Sequence, residues 1–123
     1  MLIRNILEES VRKFDEVKAV KWLNKKEIME RSYGELMENV VSTRKGLLAE
    51  GFEGKHIALI GTSSVEWMES YLGIITGCTT AVPLDAALPC EDLIDLLNRS
   101  DSVALFLSPK LRPYLDAFLE NCP

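Results

Sequence analysis

Apolar residues return at helical spacing from the start of the chain. Ile3, Ile6, Leu7, Val11 and Phe14 share one face and predict an amphipathic helix over about residues 3–14. The period then shortens. Lys18-Ala19-Val20-Lys21-Trp22-Leu23, the polar Asn24-Lys25-Lys26-Glu27, and Ile28-Met29-Glu30-Arg31 read as two short strands joined by a turn, with Val20 and Trp22 on the buried side. Ser32 followed by Glu35 is a capping box, in which hydroxyl and carboxylate each satisfy a free amide at a helix start. The helix it opens buries Leu36, Met37, Val40, Val41, Leu47 and Leu48, and Gly51 supplies the left-handed residue that ends it.

Past Gly54 the apolar runs become continuous: Ile57-Ala58-Leu59-Ile60 closed by Gly61, then Thr79-Thr80-Ala81-Val82, then Val103-Ala104-Leu105-Phe106-Leu107. Such runs predict strands covered on both faces, as in a parallel sheet. Two segments of crossover length separate them. The first, about residues 64–77, opens with Ser63 and Glu66 as a second capping box. Its apolar positions (Val65, Trp67, Met68, Tyr71, Leu72, Ile74, Ile75) go nearly all round, which predicts deep burial. The second, about residues 90–99, follows Pro89 and turns Leu93, Ile94, Leu96 and Leu97 inward. A last helix uses Tyr114, Leu115, Phe118 and Leu119. The fold class is therefore α/β: a three-layer, mainly parallel sheet with helices on both faces, preceded by a helix and a β-hairpin. With no repeat, linker or low-complexity stretch, residues 1–123 read as a single domain.

Composition narrows the partners. A net charge of −5 on 123 residues, with the basic residues scattered and adjacent only as the isolated pairs Arg12-Lys13, Lys25-Lys26 and Arg44-Lys45, leaves no stripe to displace phosphate counterions, so no nucleic-acid partner is expected. Cys78, Cys90 and Cys122 have no metal-ligand spacing and imply no disulfide framework, which fits a reducing, cytoplasmic location. Cys78 lies in an apolar stretch and is expected to behave as a small hydrophobe. The amino end runs straight into the amphipathic pattern and is not read as a signal peptide. The longest uncharged run, residues 70–84, is too short and interrupted for a transmembrane segment.

Candidate chemistry is sparse. Gly61-Thr62-Ser63-Ser64 stands at a strand-to-helix turn, where free amides can hold an anion, but no lysine follows to meet a phosphate, and a helix cap is the simpler reading. His56, the single histidine, has no nucleophile beside it and reads as a strand-end residue. Glu91, Asp92 and Asp95 fall on the polar side of a leucine-rich helix, so a solvated face is expected. Asp85 and Lys110 follow strands, where α/β folds place functional side chains, although Asp85 also suits a turn. No nucleophile–base pair emerges.

The order of the motifs nevertheless carries a resemblance. Ser32-Tyr33-Gly34-Glu35-Leu36 with Gly46-Leu47-Leu48-Ala49-Glu50-Gly51 is similar to an early helix of the AMP-forming acyl-CoA synthetases. Lys55 to Trp67 resembles that family's first core strand and its asparagine-serine-proline-glutamate-tryptophan helix entry, with Ser63 and Val65 in place of the asparagine and proline. Tyr71-Leu72-Gly73-Ile74, Gly77, Ala81-Val82-Pro83-Leu84-Asp85, Leu88-Pro89 and the helix from Leu93 to Ser100 continue the match in register. The hairpin from Trp22 to Tyr33 and the Pro83-Leu84-Asp85 ending lean toward the long-chain fatty acyl branch.

The resemblance implies a parent enzyme that joins a carboxylic acid to ATP as an acyl-adenylate, releases pyrophosphate and passes the acyl group to coenzyme A. ATP, Mg2+ and CoA are implied for that parent. In the family the phosphate loop, the adenine and ribose contacts and the mobile lysine lie further along the chain. The expectation is thus an N-terminal scaffold piece that is not catalytic alone, with no catalytic, cofactor-binding or metal residue assigned. Its partner would be the remainder of the parent enzyme, and exposed apolar surface would favour self-association. The alternative is a free-standing flavodoxin-like binding or protein-interaction module.

Overall fold

Ser32 does what the capping box requires. In the computed structural model, which describes residues 3–121, its hydroxyl accepts from the Glu35 amide at 3.1 Å while its own amide donates to the Glu35 carboxylate at 3.0 Å. The helix that follows, α2 (Tyr33–Ala49), ends as its sequence dictates. Gly51 adopts φ +77°, so its amide reaches Leu48 O and the Phe52 amide reaches Leu47 O, and Phe52 packs against Leu47. Upstream lie α1 (Ile3–Phe14) and the antiparallel pair β1 (Lys18–Asn24) and β2 (Glu27–Ser32), with Lys25 at φ +60° in the turn. Helix α1 lies against α2, yet none of its residues is fully buried, and Ile3, Ile6 and Phe14 are about half exposed.

The second half builds a parallel sheet. Strands β3 (His56–Ile60), β4 (Thr80–Leu84) and β5 (Ser102–Leu107) lie in the order β4-β3-β5, linked by α3 (Val65–Thr76) and α4 (Cys90–Arg99). A 3-10 turn, Pro109–Tyr114, leads to α5 (Leu115–Asn121). Because β3 is central, its side chains serve two cores in alternation. Ile57 meets Leu47 and Ile74 on one face, whereas Ala58 and Ile60 meet Leu93, Leu97 and Phe118 on the other. Ile57, Ile60, Ile74 and Leu93 are wholly buried, each stabilising the fold by roughly 1.5–3 kcal/mol. The expected fold class, with helices on both faces of the sheet and a hairpin ahead of it, is the one observed.

Four local expectations are corrected. The cap of α3 is Ser64, not Ser63: Ser64 holds the extended backbone and its hydroxyl accepts from the Trp67 amide at 3.1 Å, so the helix starts one residue later and Glu66 closes no box. Helix α3 is not apolar-buried all round. Its buried stripe contains Glu69 and Thr76, while Trp67, Met68, Tyr71, Leu72 and Ile75 are half-buried. Cys78 is exposed, because it follows the end of α3 at the surface, whereas Cys90 is half-buried against the α4 core; Cys122 lies outside the described residues. Leu48 and Leu119, expected inside, are exposed.

Candidate functional site

Two connections leave adjacent strands in opposite directions. The chain after β3 turns onto the face covered by α3, and the chain after β5 turns onto the face covered by α5, so the carboxyl ends of β3 and β5 part. An open α/β sheet forms its crevice at such a reversal. Here the crevice is a cleft of about 690 Å3 walled by Leu59, Trp67 and Phe106, floored by Gly61, and rimmed by Thr62 and Lys110, with Asn24 reaching it from the hairpin turn. Gly61 is closely packed there. A Cβ on it would stand 3.1 Å from Ser108 Cβ and 3.3 Å from Trp67 Cδ1, so a larger residue would need Ser108 or Trp67 to give by a few tenths of an ångström. The Ser108 amide fixes that spacing by donating to Ile60 O at 2.9 Å. Trp67 is held flat by stacking on Tyr71, with centroids 5.2 Å apart and planes 9° from parallel.

The candidate residues divide between this cleft and the rest of the surface. Thr62 and Lys110 lie in it. Ser64 also lines it, with its hydroxyl already accepting from the Trp67 amide. Asp85 faces a neighbouring shallow depression shared with Thr62, Ser63 and Trp67, and its carboxylate accepts from the Ala87 amide at 2.9 Å, the turn geometry its sequence suggested. His56 is at the opposite end of the sheet, exposed, with Nδ1 2.7 Å from Ser100 O. Glu91, Asp92 and Asp95 are exposed on α4, and Asp95 pairs with Arg99 at 3.0 Å. No three His, Cys, Asp or Glu side chains among the described residues converge as a metal site.

Glu69 was missed by the sequence reading. It is 5% exposed, and its carboxylate receives Arg31 Nη1 at 2.8 Å on each oxygen and Asn39 Nδ2 at 2.6 Å. Arg31 also lies over the Trp22 ring, 5.3 Å from its centroid. This cluster ties the hairpin to α2 and α3 and so holds the Asn24 turn beside the cleft. Its only signal in the sequence was position: Glu69 stands four residues from both Val65 and Gly73, on the helix's inward stripe.

The cleft can hold an apolar or aromatic group against Trp67 and Phe106, and its lining also carries hydroxyls, the Glu66 carboxylate and the Lys110 ammonium. It does not fit a magnesium-bound triphosphate. Among the described residues Lys110 is the one cationic side chain lining it, the Glu66 carboxylate lines it too, and the Trp67 amide at the α3 terminus is already taken by Ser64.

The fold and crevice define an open α/β unit of the kind that binds ligands at a strand-order reversal. The chain belongs to the AMP-binding enzyme family, whose model matches residues 7–121. No individual curated protein matches it. Among solved structures it is similar to an anthranilate CoA ligase in complex with anthranoyl-AMP (TM-score 0.86, 18% identity, all of this chain and 23% of that one). It is equally similar to the N-terminal domain of FACL13 from Mycobacterium tuberculosis (0.86, 19%, all of this chain and 31% of that one). A Mycobacterium tuberculosis fatty acyl CoA synthetase superposes at 0.85 with 20% identity, over 98% of this chain and 24% of that one. The chain thus spans 23–31% of the length of these relatives, and at such identities the likeness is one of fold.

Proposed function

We propose that this chain is the N-terminal scaffold of an AMP-forming acid–thiol ligase, a single domain that supports the acyl and nucleotide sites without reacting itself. The observation that carries the reading is the family match across nearly the whole chain. On this reading ATP, Mg2+ and CoA are bound chiefly by the remainder of the enzyme. The carboxylic acid it activates would be aliphatic or aromatic, and the long-chain branch is supported only by the hairpin and the Pro83-Leu84-Asp85 strand end.

Exposed apolar side chains support an incomplete surface: Leu23 is 72% exposed, Ile28 69% and Leu119 71%. The free-standing flavodoxin-like alternative is disfavoured by the family match. The gene itself tests the proposal. A glycine-serine-threonine phosphate loop encoded in frame soon after residue 123 is the expected result, and a stop codon directly after Pro123 would contradict it.

A further inference from the structure

We propose that the outer edge of β5 takes up, parallel to it, the next strand of a longer chain, and that α5 is the crossover helix that delivers it. The inference rests on the reading of this chain as the opening part of a ligase. Handedness carries it. The connection from β3 to β4 passes through α3 on the face where Ile57 meets Leu47 and Ile74, and it moves toward the β4 edge. The connection from β4 to β5 passes through α4 on the opposite face, beside Ala58 and Ile60, and it moves the other way. Opposite directions on opposite faces are one and the same hand, the right-handed one that parallel crossovers obey.

Helix α5 lies on the α4 face, where Phe118 is buried with Leu93 and Leu97 and the Asn98 side-chain amide donates to Asn121 O at 3.0 Å. A right-handed crossover on that face continues in the direction from β4 to β5, so it sets the following strand down beyond β5. The opposite edge of the sheet is poorly suited to receive it. On β4 the Thr80 amide donates to Lys55 O at 3.0 Å, so Ala81 and Pro83 direct their backbone groups outward, and Pro83 brings no donor to that row.

Two features of the receiving side fit an apolar parallel strand. The Ser108 amide donates to Ile60 O, so Ala104 and Phe106 turn their backbone groups to β3 while those of Leu105 and Leu107 point outward, in a row without proline or charge. On α5, Leu115 and Leu119 stand one turn apart and remain exposed although Phe118 is buried, and a strand beyond β5 gives that stripe a surface to cover. A parallel strand also ends at the cleft end of the sheet. The loop that leaves it therefore extends the cleft wall on the side of Phe106 and Lys110.

Cysteine pairing in the longer gene product tests it, with Leu105→Cys or Leu107→Cys combined with a second cysteine moved along the first strand encoded after residue 123. On oxidation the Leu107→Cys variant should link to one position of that strand, and the Leu105→Cys variant to the next same-face position before it, read by mass spectrometry of the joined peptides. In the unmodified longer protein, the Leu105 and Leu107 amides should exchange with solvent about a hundredfold or more slower than free amides. Links in the reverse order, links to another segment only, or no links at all overturn the proposal, as do unprotected amides. Should the cysteine variants unfold, the exchange measurement decides alone. A longer protein that fails these tests leaves the proposed function standing, whereas a stop codon directly after Pro123 removes both.

Discussion

Arg31 on β2 and Glu69 on α3 form a two-point ion pair, with Nη1 2.8 Å from both carboxylate oxygens and side chains only 22% and 7% exposed. The charges are thirty-eight residues apart in sequence and fasten the hairpin to the helical layer. Removing one partner leaves the other buried and uncompensated, so Arg31→Ala should destabilise by about 3 kcal/mol. Replacing both, as Arg31→Met with Glu69→Leu, should cost clearly less than the single change. Urea denaturation of the native chain, Arg31→Ala and the double variant checks this, and a double variant as unstable as Arg31→Ala would refute it.

Gly73 and Gly46 make opposite predictions for one substitution. A Cβ on Gly73 would come within 2.5 Å of Thr43 Cβ, an atom fixed to the α2 backbone, whereas a Cβ on Gly46 meets nothing within 4 Å. In both helices alanine gains about 0.5–1 kcal/mol of propensity. At Gly73 overpacking of about 1–3 kcal/mol outweighs that gain. Gly46→Ala should raise Tm and Gly73→Ala should lower it, read by thermal melts.

The start of α3 separates two adjacent serines. Ser64 caps the helix and Ser63 is exposed, so Ser64→Ala should cost about 1 kcal/mol and Ser63→Ala close to nothing. Equal losses in chemical denaturation would return the cap to Ser63.

Glu35 supplies a pH dependence. The backbone amide of Ser32 bonded to its carboxylate, with the Ser32 hydroxyl next and Lys18 and Arg31 nearby, holds its pKa below the usual glutamate value against a small opposing effect of burial. A lowered folded pKa means the unfolded state takes up the proton first. The stabilisation is therefore present above the unfolded value of about 4.3 and is lost as pH falls through the folded one. The stability gap between the native chain and Glu35→Gln should be constant near neutrality and shrink on acidification. A gap that widens in acid would reverse the assignment.

Most of the fold was legible because local and global signals agreed. Ser32 with Glu35, Gly51, and the uninterrupted Ile57-Ala58-Leu59-Ile60 run each specified one conformation that packing then reinforced. The strand-order reversal, and with it the cleft, was hidden, since strand order depends on which neighbours pair and leaves no mark on periodicity. Glu69 was hidden for a related reason: a carboxylate on an apolar stripe looks like an interruption until Arg31, distant in sequence, is folded over it. Ser63 and Ser64 show the limit of motif spacing. Both sit at plausible cap positions, and only the extended backbone at Ser64 chooses between them.

The central claim is that these residues build the frame of an acid-activating ligase and do none of its chemistry. Acid-dependent exchange of labelled pyrophosphate into ATP, measured on the purified 123-residue chain with aliphatic and aromatic carboxylic acids, addresses it most directly. The account predicts exchange no faster than that of a protein-free control for every acid. Exchange that requires both the chain and an acid, and is abolished by Lys110→Ala in the cleft, would contradict it.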